Sequence, residues 1–313
     1  MQPPPREEFF ASRKLCELTT IDDAQHLQPY LPLGTHQFFD ANKWLYYYRY
    51  YTENNDPRRT NLLVYIMWDT IQNCYLMHTT NNMMSPHNPQ TRHHYQYGEG
   101  TWEGIMRKLG ARNVVYGDND IDRITLELEF ERKFEETQVF IDARDCLHVA
   151  SDLRVKHGYD RVLLLNMANQ YTVGGGVEKG SRAQEESLMR RSDYFLFLKP
   201  LQNSAYPMDD YGAIYTPGVT VFRDSETNGC AYLSHYFQCD MIAVAARRNP
   251  ELDRSRTYFS RDSAKEYLQK VETIFKVALA QGIDCLILSA LGWYVYTCCM
   301  ISQVIQAVKY ISS

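Results

Sequence analysis

The chain has 313 residues, of which 44% are hydrophobic, and a formal net charge of −5. This apolar content is enough for one large core or two modest ones, and it argues against an intrinsically disordered protein. The acidic balance and the lack of a Lys/Arg-rich block do not indicate nucleic-acid binding, and the apolar runs are too short for a membrane span.

The N-terminus and the cysteines predict an intracellular protein, either cytoplasmic or nuclear. The first residues, Met-Gln-Pro-Pro-Pro-Arg-Glu-Glu, lack the apolar core of a signal peptide. The eight cysteines are scattered, with no Cys-x-x-Cys pair and no zinc-type spacing, which is typical of reduced thiols. Adjacent Cys298 and Cys299 are expected to be buried thiols in preference to a redox pair. We expect no metal and no cofactor.

Residues 1–135 are predicted to form an N-terminal region of mixed α/β character and unknown role. The aromatic run from Trp44 to Tyr51 favours a core strand or helix, and the alternative is a face on which bases or adenine stack. The apolar run 61–68, Asn-Leu-Leu-Val-Tyr-Ile-Met-Trp, predicts a buried strand.

From residue 136 the chain alternates between strand and helix patterns. Strands are predicted over 138–142, 161–168, 211–222, 239–246 and 285–291, and helices over 143–157, 183–198 and 260–281. Asp142 and Asp145 lie where the first of these helices begins, so helix capping is favoured over ligand contact. This alternation predicts an α/β layered fold, with residues 136–313 as one domain.

A glycine-rich segment carries most of the site chemistry. Residues 174–176 are three glycines, and Gln184, Glu185 and Glu186 follow after seven residues. Consecutive glycines are expected where the backbone takes a positive φ or approaches a ligand closely, and their N–H groups can cradle a diphosphate. Ser181 is the predicted N-cap of the next helix, which places the Gln-Glu-Glu triplet in its first turn.

A triple glycine followed by Gln-Glu-Glu after six to eight residues is the signature of the poly(ADP-ribose) glycohydrolase family. Residues 166–176, Asn-Met-Ala-Asn-Gln-Tyr-Thr-Val-Gly-Gly-Gly, resemble the Asn-Phe-Ala-x-x-x-x-Pro-Gly-Gly-Gly segment of its compact, microbial-type branch. Residues 215–224, Tyr-Thr-Pro-Gly-Val-Thr-Val-Phe-Arg-Asp, resemble a second family block, and residues 241–250 are similar to the strand that follows. These blocks fall within residues 138–292.

The resemblance implies a macrodomain, which is a three-layer α/β/α fold with a mixed central sheet, and a glycoside hydrolase. It implies that Glu186 is the general acid and base at the ribose–ribose bond, and that Glu185 positions the ribose hydroxyls. Asn169 would bind the distal ribose, and Gly174, Gly175 and Gly176 would hold the diphosphate. Further substrate-binding residues implied in the same way are Val177, Gln184, Asn166 and Gly292. The implied partners are poly(ADP-ribose) or ADP-ribosylated protein, and ADP-ribose.

The sequence departs from the family pattern near its C-terminus. The family's second glycine-rich loop resembles Gly-Cys-Gly-Ala-Phe-Gly-Asn, whereas here Gly292 is followed by Trp-Tyr-Val-Tyr-Thr-Cys-Cys. Bulky and β-branched residues do not let a phosphate approach the backbone as glycine does. The domain is also expected to be short at its C-terminal end. The alternative function is therefore a non-catalytic ADP-ribose-binding macrodomain, or a degenerate family member that acts as an interaction protein.

Overall fold

The computed structural model describes residues 41–80, 102–127, 137–247, 250–254, 259–289 and 291. The helices in these ranges are α1 (Ala41–Glu53), α2 (Arg58–Thr80), α3 (Trp102–Gly110), α4 (Asp118–Glu127), α5 (Cys146–Ser151), α6 (Gln184–Arg191), α7 (Tyr194–Leu198) and α8 (Arg261–Ala280). The strands are β1 (Val114–Tyr116), β2 (Val162–Ala168), β3 (Ala213–Arg223), β4 (Tyr232–Ala245) and β5 (Cys285–Ile287). None of the helices in the described ranges is both long enough and apolar enough to cross a membrane.

The strands form one mixed sheet of five in the order β1-β3-β4-β2-β5. β1 pairs with β3 in the antiparallel direction, whereas β2 pairs in parallel with both β4 and β5. Leu163, Leu164 and Leu165 of β2 are fully buried, as the continuous apolar run in the sequence requires for a strand between parallel neighbours. The mixed α/β fold predicted from the sequence is confirmed.

The chain divides into two compact units that interleave along the sequence. The first comprises Met1–Leu109, Gly174–Leu196 and Val221–Tyr236, and the second comprises Gly110–Val173, Phe197–Thr220 and Phe237–Ser313. The linear division into 1–135 and 136–313 stays a prediction.

The core of the second unit lies where α4 and α8 cover the sheet. Alternate residues of the strands, such as Leu163 and Leu165 of β2, meet the apolar stripe of α8 there, which includes Ile274 and Val277. α8 begins after Ser260, whose side chain accepts a hydrogen bond from the Ser263 amide and so caps the helix. α5 packs against β2 and β5.

The core of the first unit is aromatic and is built by α1 and α2. Trp44, Tyr47 and Tyr51 of α1 are buried against Leu62 and Ile66 of α2. The Trp44 indole N–H donates to the Leu62 carbonyl oxygen at 3.2 Å, which satisfies its single polar atom. One face of the aromatic run is therefore core, in agreement with the interpretation favoured from the sequence, whereas Tyr46 is 40% exposed.

Two predicted strands were wrong. Residues 61–68 lie within helix α2. The strand prediction failed because a short continuous apolar run has no periodicity that distinguishes a buried strand from a buried helix. Residues 138–142 belong to no strand or helix among the described residues, and Phe140 is 81% exposed. β5 ends at Ile287, which makes it shorter than predicted.

Two predicted helices were wrong in their extent. The helix expected over 143–157 begins at Cys146, because Asp145 accepts hydrogen bonds from the Leu147 and His148 amides, and it ends in a π-helical turn over Asp152–Lys156. The helix expected over 183–198 is interrupted at Ser192, whose extended backbone bridges Val221. The interruption divides it into α6 and α7.

Strand β2, which lies between two parallel neighbours, provides a test of the sheet core. Leu165→Ala removes a fully buried side chain and is expected to lower the free energy of unfolding by about 2–5 kcal/mol. Leu268→Ala makes the same change on α8 at a residue that is 40% exposed, and is expected to cost less than about 1 kcal/mol. Urea unfolding of both variants measures the difference. Equal losses would contradict the assignment of β2 to the core.

Candidate active site

The glycine loop has a backbone that other residues do not readily adopt. Gly174 and Gly175 have φ values of +68° and +56°, in the left-handed region that disfavours residues with a Cβ. A Cβ on Gly175 would lie 2.6 Å from Oε1 of Glu186 and 3.0 Å from Oε2 of Glu185. The loop backbone therefore lies directly against both carboxylates, and only glycine fits this contact.

The two carboxylates occupy the first turn of α6 and are almost fully buried. Glu185 is 3% exposed and Glu186 is 6% exposed. The Gly176 amide donates a hydrogen bond of 2.8 Å to Oε1 of Glu186, whereas Oε2 of Glu186 has no hydrogen-bond partner among the described residues. A buried carboxylate oxygen without a protein partner is costly unless it serves a ligand or carries a proton.

The loop returns to α6 through a tight turn. The Val177 amide donates to the Gly174 carbonyl oxygen, and the Ser181 amide donates to the Gly176 carbonyl oxygen at 3.1 Å. Gly180 closes the turn with φ +71°, and a Cβ there would lie 2.5 Å from the Thr60 carbonyl oxygen of α2. Ser181 is not the N-cap predicted from the sequence. That position is Ala183, and its side chain makes no capping bond.

Helix α2 supports the end of α6 through three residues spaced four apart. The Thr70 hydroxyl donates to the Arg190 carbonyl oxygen at 2.6 Å, and the Cys74 thiol contacts the Ser192 carbonyl oxygen. Nε2 of His78 lies 3.4 Å from a carboxylate oxygen of Asp193, and both side chains are buried. Sequence analysis missed this role, although Thr70, Cys74 and His78 lie on one helical face once the segment is assigned to a helix.

The loop that follows β2 belongs to the second unit, and polar side chains hold its backbone. Oδ1 of Asn169 accepts hydrogen bonds from the Tyr171 and Thr172 amides at 2.9 and 3.1 Å, which fixes the orientation of its side-chain amide. Gln202 accepts from the Val173 amide at 2.9 Å and donates to the Tyr171 carbonyl oxygen at 3.1 Å. The segment is thereby held at several points.

The remaining predicted site residues have these positions. Asn166 is fully buried within β2, Val177 is fully buried after the triple glycine, and Gln184 is the first residue of α6. Within one unit the structure brings together Gly175, Gly176, Glu185 and Glu186. Gly292, Cys298 and Cys299 lie outside the described residues. Within the described ranges, no group of three or more His, Cys, Asp or Glu side chains is arranged to hold a metal ion.

A family model described as microbial-type PARG, catalytic domain, matches residues 90–224, which include the glycine loop and α6. This match confirms the resemblance to the microbial-type poly(ADP-ribose) glycohydrolases. Because the matched model is a catalytic domain, it indicates a glycoside hydrolase and, in general terms, ADP-ribosyl glycohydrolase activity. A comparison with curated proteins gave no match.

Solved poly(ADP-ribose) glycohydrolases share the macrodomain-like fold. The enzyme from Thermomonospora curvata is 23% identical, with a TM-score of 0.56 over 65% of this chain and 74% of that chain. The same enzyme bound to the inhibitor ADP-HPD is 22% identical, with a TM-score of 0.54 over the same shares. The enzyme from Deinococcus radiodurans in complex with ADP-ribose is 20% identical, with a TM-score of 0.55 over 66% of this chain and 83% of that chain.

The return turn of the glycine loop can be tested with two glycines of similar backbone conformation. Gly158 has φ +72° and open space around it, so Gly158→Ala is expected to cost only the left-handed conformation, about 1–2 kcal/mol. Gly180→Ala adds a clash with the Thr60 carbonyl oxygen and is expected to cost about 1–3 kcal/mol more. Denaturant unfolding of both variants gives the difference. If Gly180→Ala cost no more than Gly158→Ala, α2 would not lie against this turn.

Proposed function

We propose that this protein hydrolyses the ribose–ribose bonds of poly(ADP-ribose), or ADP-ribose attached to protein, with Glu186 as the general acid and base. The observation that carries this proposal is the state of the Glu186 carboxyl group. One oxygen is held by the Gly176 amide at 2.8 Å, and the other has no protein partner among the described residues. A general acid needs both a fixed orientation and one oxygen within reach of the leaving group.

The reaction follows from this arrangement. Because an N–H group already donates to Oε1, Oε2 is the oxygen that carries the transferable proton. Glu186 gives that proton to the bridging oxygen as the bond from the anomeric carbon breaks, which leaves an oxocarbenium-like sugar and a Glu186 carboxylate. The carboxylate then accepts a proton from the attacking water, whose oxygen bonds to the anomeric carbon. Glu186 ends the cycle protonated, as it began.

The remaining residues bind and orient the substrate in this proposal. Glu185 holds the ribose hydroxyls next to Glu186, and Asn169 binds the distal ribose through a side chain that two backbone amides orient. The diphosphate lies on the N–H groups of the glycine loop. Since the Gly176 amide donates to Glu186, Gly174 and Gly175 supply most of this contact. Further substrate contacts are assigned to Val177, Gln184, Asn166 and Gly292.

The proposal also includes the ligand and the cellular compartment. The Deinococcus structure contains ADP-ribose and one Thermomonospora structure contains ADP-HPD, which supports ADP-ribose as a ligand of this protein. Poly(ADP-ribose) or ADP-ribosylated protein is the proposed substrate. The scattered cysteines of the sequence, with no Cys-x-x-Cys pair and no zinc-type spacing, support an intracellular location, either cytoplasmic or nuclear.

Glu186→Gln tests the catalytic assignment. The amide keeps the size of the carboxyl group but cannot transfer the proton, so turnover of poly(ADP-ribose) is expected to fall by about 100-fold or more, in line with the usual contribution of general acid–base catalysis. The Kd for ADP-ribose is expected to stay within about 3-fold, because the glycine loop remains. Release of ADP-ribose gives the rate, and calorimetric titration gives the Kd.

The matched control is Glu178→Gln, which makes the same change in the short helical turn Val177–Lys179 of the same loop and should leave turnover unchanged. Unchanged turnover in Glu186→Gln would refute the role of Glu186. Binding of ADP-ribose without turnover by the unmodified chain would instead favour the non-catalytic macrodomain.

A further inference from the structure

Arg190 is a fully buried cation next to the glycine loop, in the last turn of α6. It lies one turn after Glu186 on the same helix, so both side chains occupy the same helical face. A buried guanidinium group has to be paired and hydrogen-bonded to offset the loss of its hydration. Its partners therefore show what it holds in place.

The guanidinium group joins two segments of the first unit. Nη1 donates to the Ser181 carbonyl oxygen at 2.7 Å, while Nε and Nη2 donate to Oε1 of Glu226 at 3.2 and 2.8 Å. The Ser187 hydroxyl contacts the other oxygen of Glu226 at 3.4 Å. Burial by itself raises the pKa of Glu226, but the charge of Arg190 and its hydrogen bonds hold that pKa below the usual value. Glu226 is thus an ionised partner for Arg190.

These bonds form a closed circuit that returns to the catalytic carboxyl group. Arg190 holds the carbonyl oxygen of Ser181, and the Ser181 amide donates to the Gly176 carbonyl oxygen at 3.1 Å. The Gly176 amide in turn donates to Glu186 at 2.8 Å. Since Glu186 and Arg190 belong to one helix, the glycine loop is fastened to α6 at both ends of the circuit.

We propose that Arg190, paired with Glu226, is a positioning residue that holds the Gly176 amide on Glu186. This inference rests on the proposed function. Arg190 does not touch the reacting atoms in this scheme. It fixes the return turn of the loop and thereby restricts the movement of the Glu186 carboxyl group, which is bonded to the Gly176 amide. A positioning error of about 1 Å can cost about 100-fold in rate, so loss of the circuit acts on kcat.

Arg190→Lys provides the first test, because lysine keeps the charge but cannot bind Ser181 and Glu226 together in the fork geometry of arginine. We expect kcat on poly(ADP-ribose) to fall by about 10- to 100-fold while KM changes by less than about 3-fold. Hydrogen exchange of the Gly176 and Ser181 amides, followed by NMR, is expected to be at least about 10-fold faster. The exchange measurement reports on the circuit without any turnover.

The matched control is Arg191→Lys. Arg191 is adjacent and also almost fully buried, and its Nε donates to the Arg223 carbonyl oxygen at 3.3 Å. This variant is expected to lower Tm about as much as Arg190→Lys does, with kcat and Gly176 exchange within about 2-fold of the unmodified chain. If both variants lost kcat equally, the loss in Arg190→Lys would be explained by general destabilisation of the fold, and the inference would be overturned.

Glu226→Gln provides a second test if Arg190→Lys fails to fold. Glutamine keeps the acceptor oxygen for Arg190 but removes the charge, so kcat and Gly176 exchange should change in the same direction by about 3- to 10-fold. Unchanged exchange of the Gly176 amide in the variants that fold would overturn the inference. An unmodified chain that releases no ADP-ribose would instead refute the proposed function, and amide exchange would still decide whether Arg190 holds the loop.

Discussion

The contact between the glycine loop and the carboxyl group of Glu186 is the constraint on which the rest of the site depends. Burying two adjacent carboxyl groups is unfavourable, and a hydrogen bond from a backbone amide compensates part of that cost. The amide of Gly176 reaches Oε1 of Glu186 because Gly175, in the left-handed conformation, has no Cβ that would meet the same oxygen. The triple glycine thus lets the backbone approach the Glu pair closely and holds the carboxyl group of Glu186 in a fixed orientation.

This contact requires that α6 be stable, and α6 cannot be stable alone. It has eight residues, whereas isolated helices shorter than about 12 residues are marginal in water. The supporting interactions come from α2, which has 23 residues and contacts residues 190–193 through Thr70, Cys74 and His78. Burial of aromatic residues between α1 and α2 stabilises α2 in turn. The N-terminal helices are therefore part of the structure that positions the Glu pair.

The segment between β2 and the triple glycine is held by a different kind of interaction. Polar side chains fix it, with Asn169 and Gln202 bonded to the backbone of residues 171–173. Such bonds specify geometry with few apolar contacts, as is common where loops carry function on a rigid scaffold. β2 supplies that scaffold, because it is buried between two parallel neighbours.

Local sequence pattern was sufficient to predict an element where a single physical rule determined its structure. The apolar run of β2, the helical stripe of α8 and the glycines with Gln-Glu-Glu were all readable from the sequence, because burial, helical period and the need for a positive φ each leave a local mark. The run 61–68 was misassigned, because its period is ambiguous until the segment packs as a helix against α1. The apolar segment 138–142 was misassigned because a strand needs a partner, and none of the described strands pairs with it.

The sequence by itself determined the α/β class, the resemblance to poly(ADP-ribose) glycohydrolases and the candidate residues of the glycine motif. Only the tertiary structure decided that Ala183 precedes α6, that Glu186 is held through one oxygen, and that Arg190, Glu226 and α2 support the loop. The physical reason is the range of the interactions. Backbone conformation and periodicity act over a few residues, whereas hydrogen bonds such as Thr70 to Arg190 join positions 120 residues apart, and no local pattern records them.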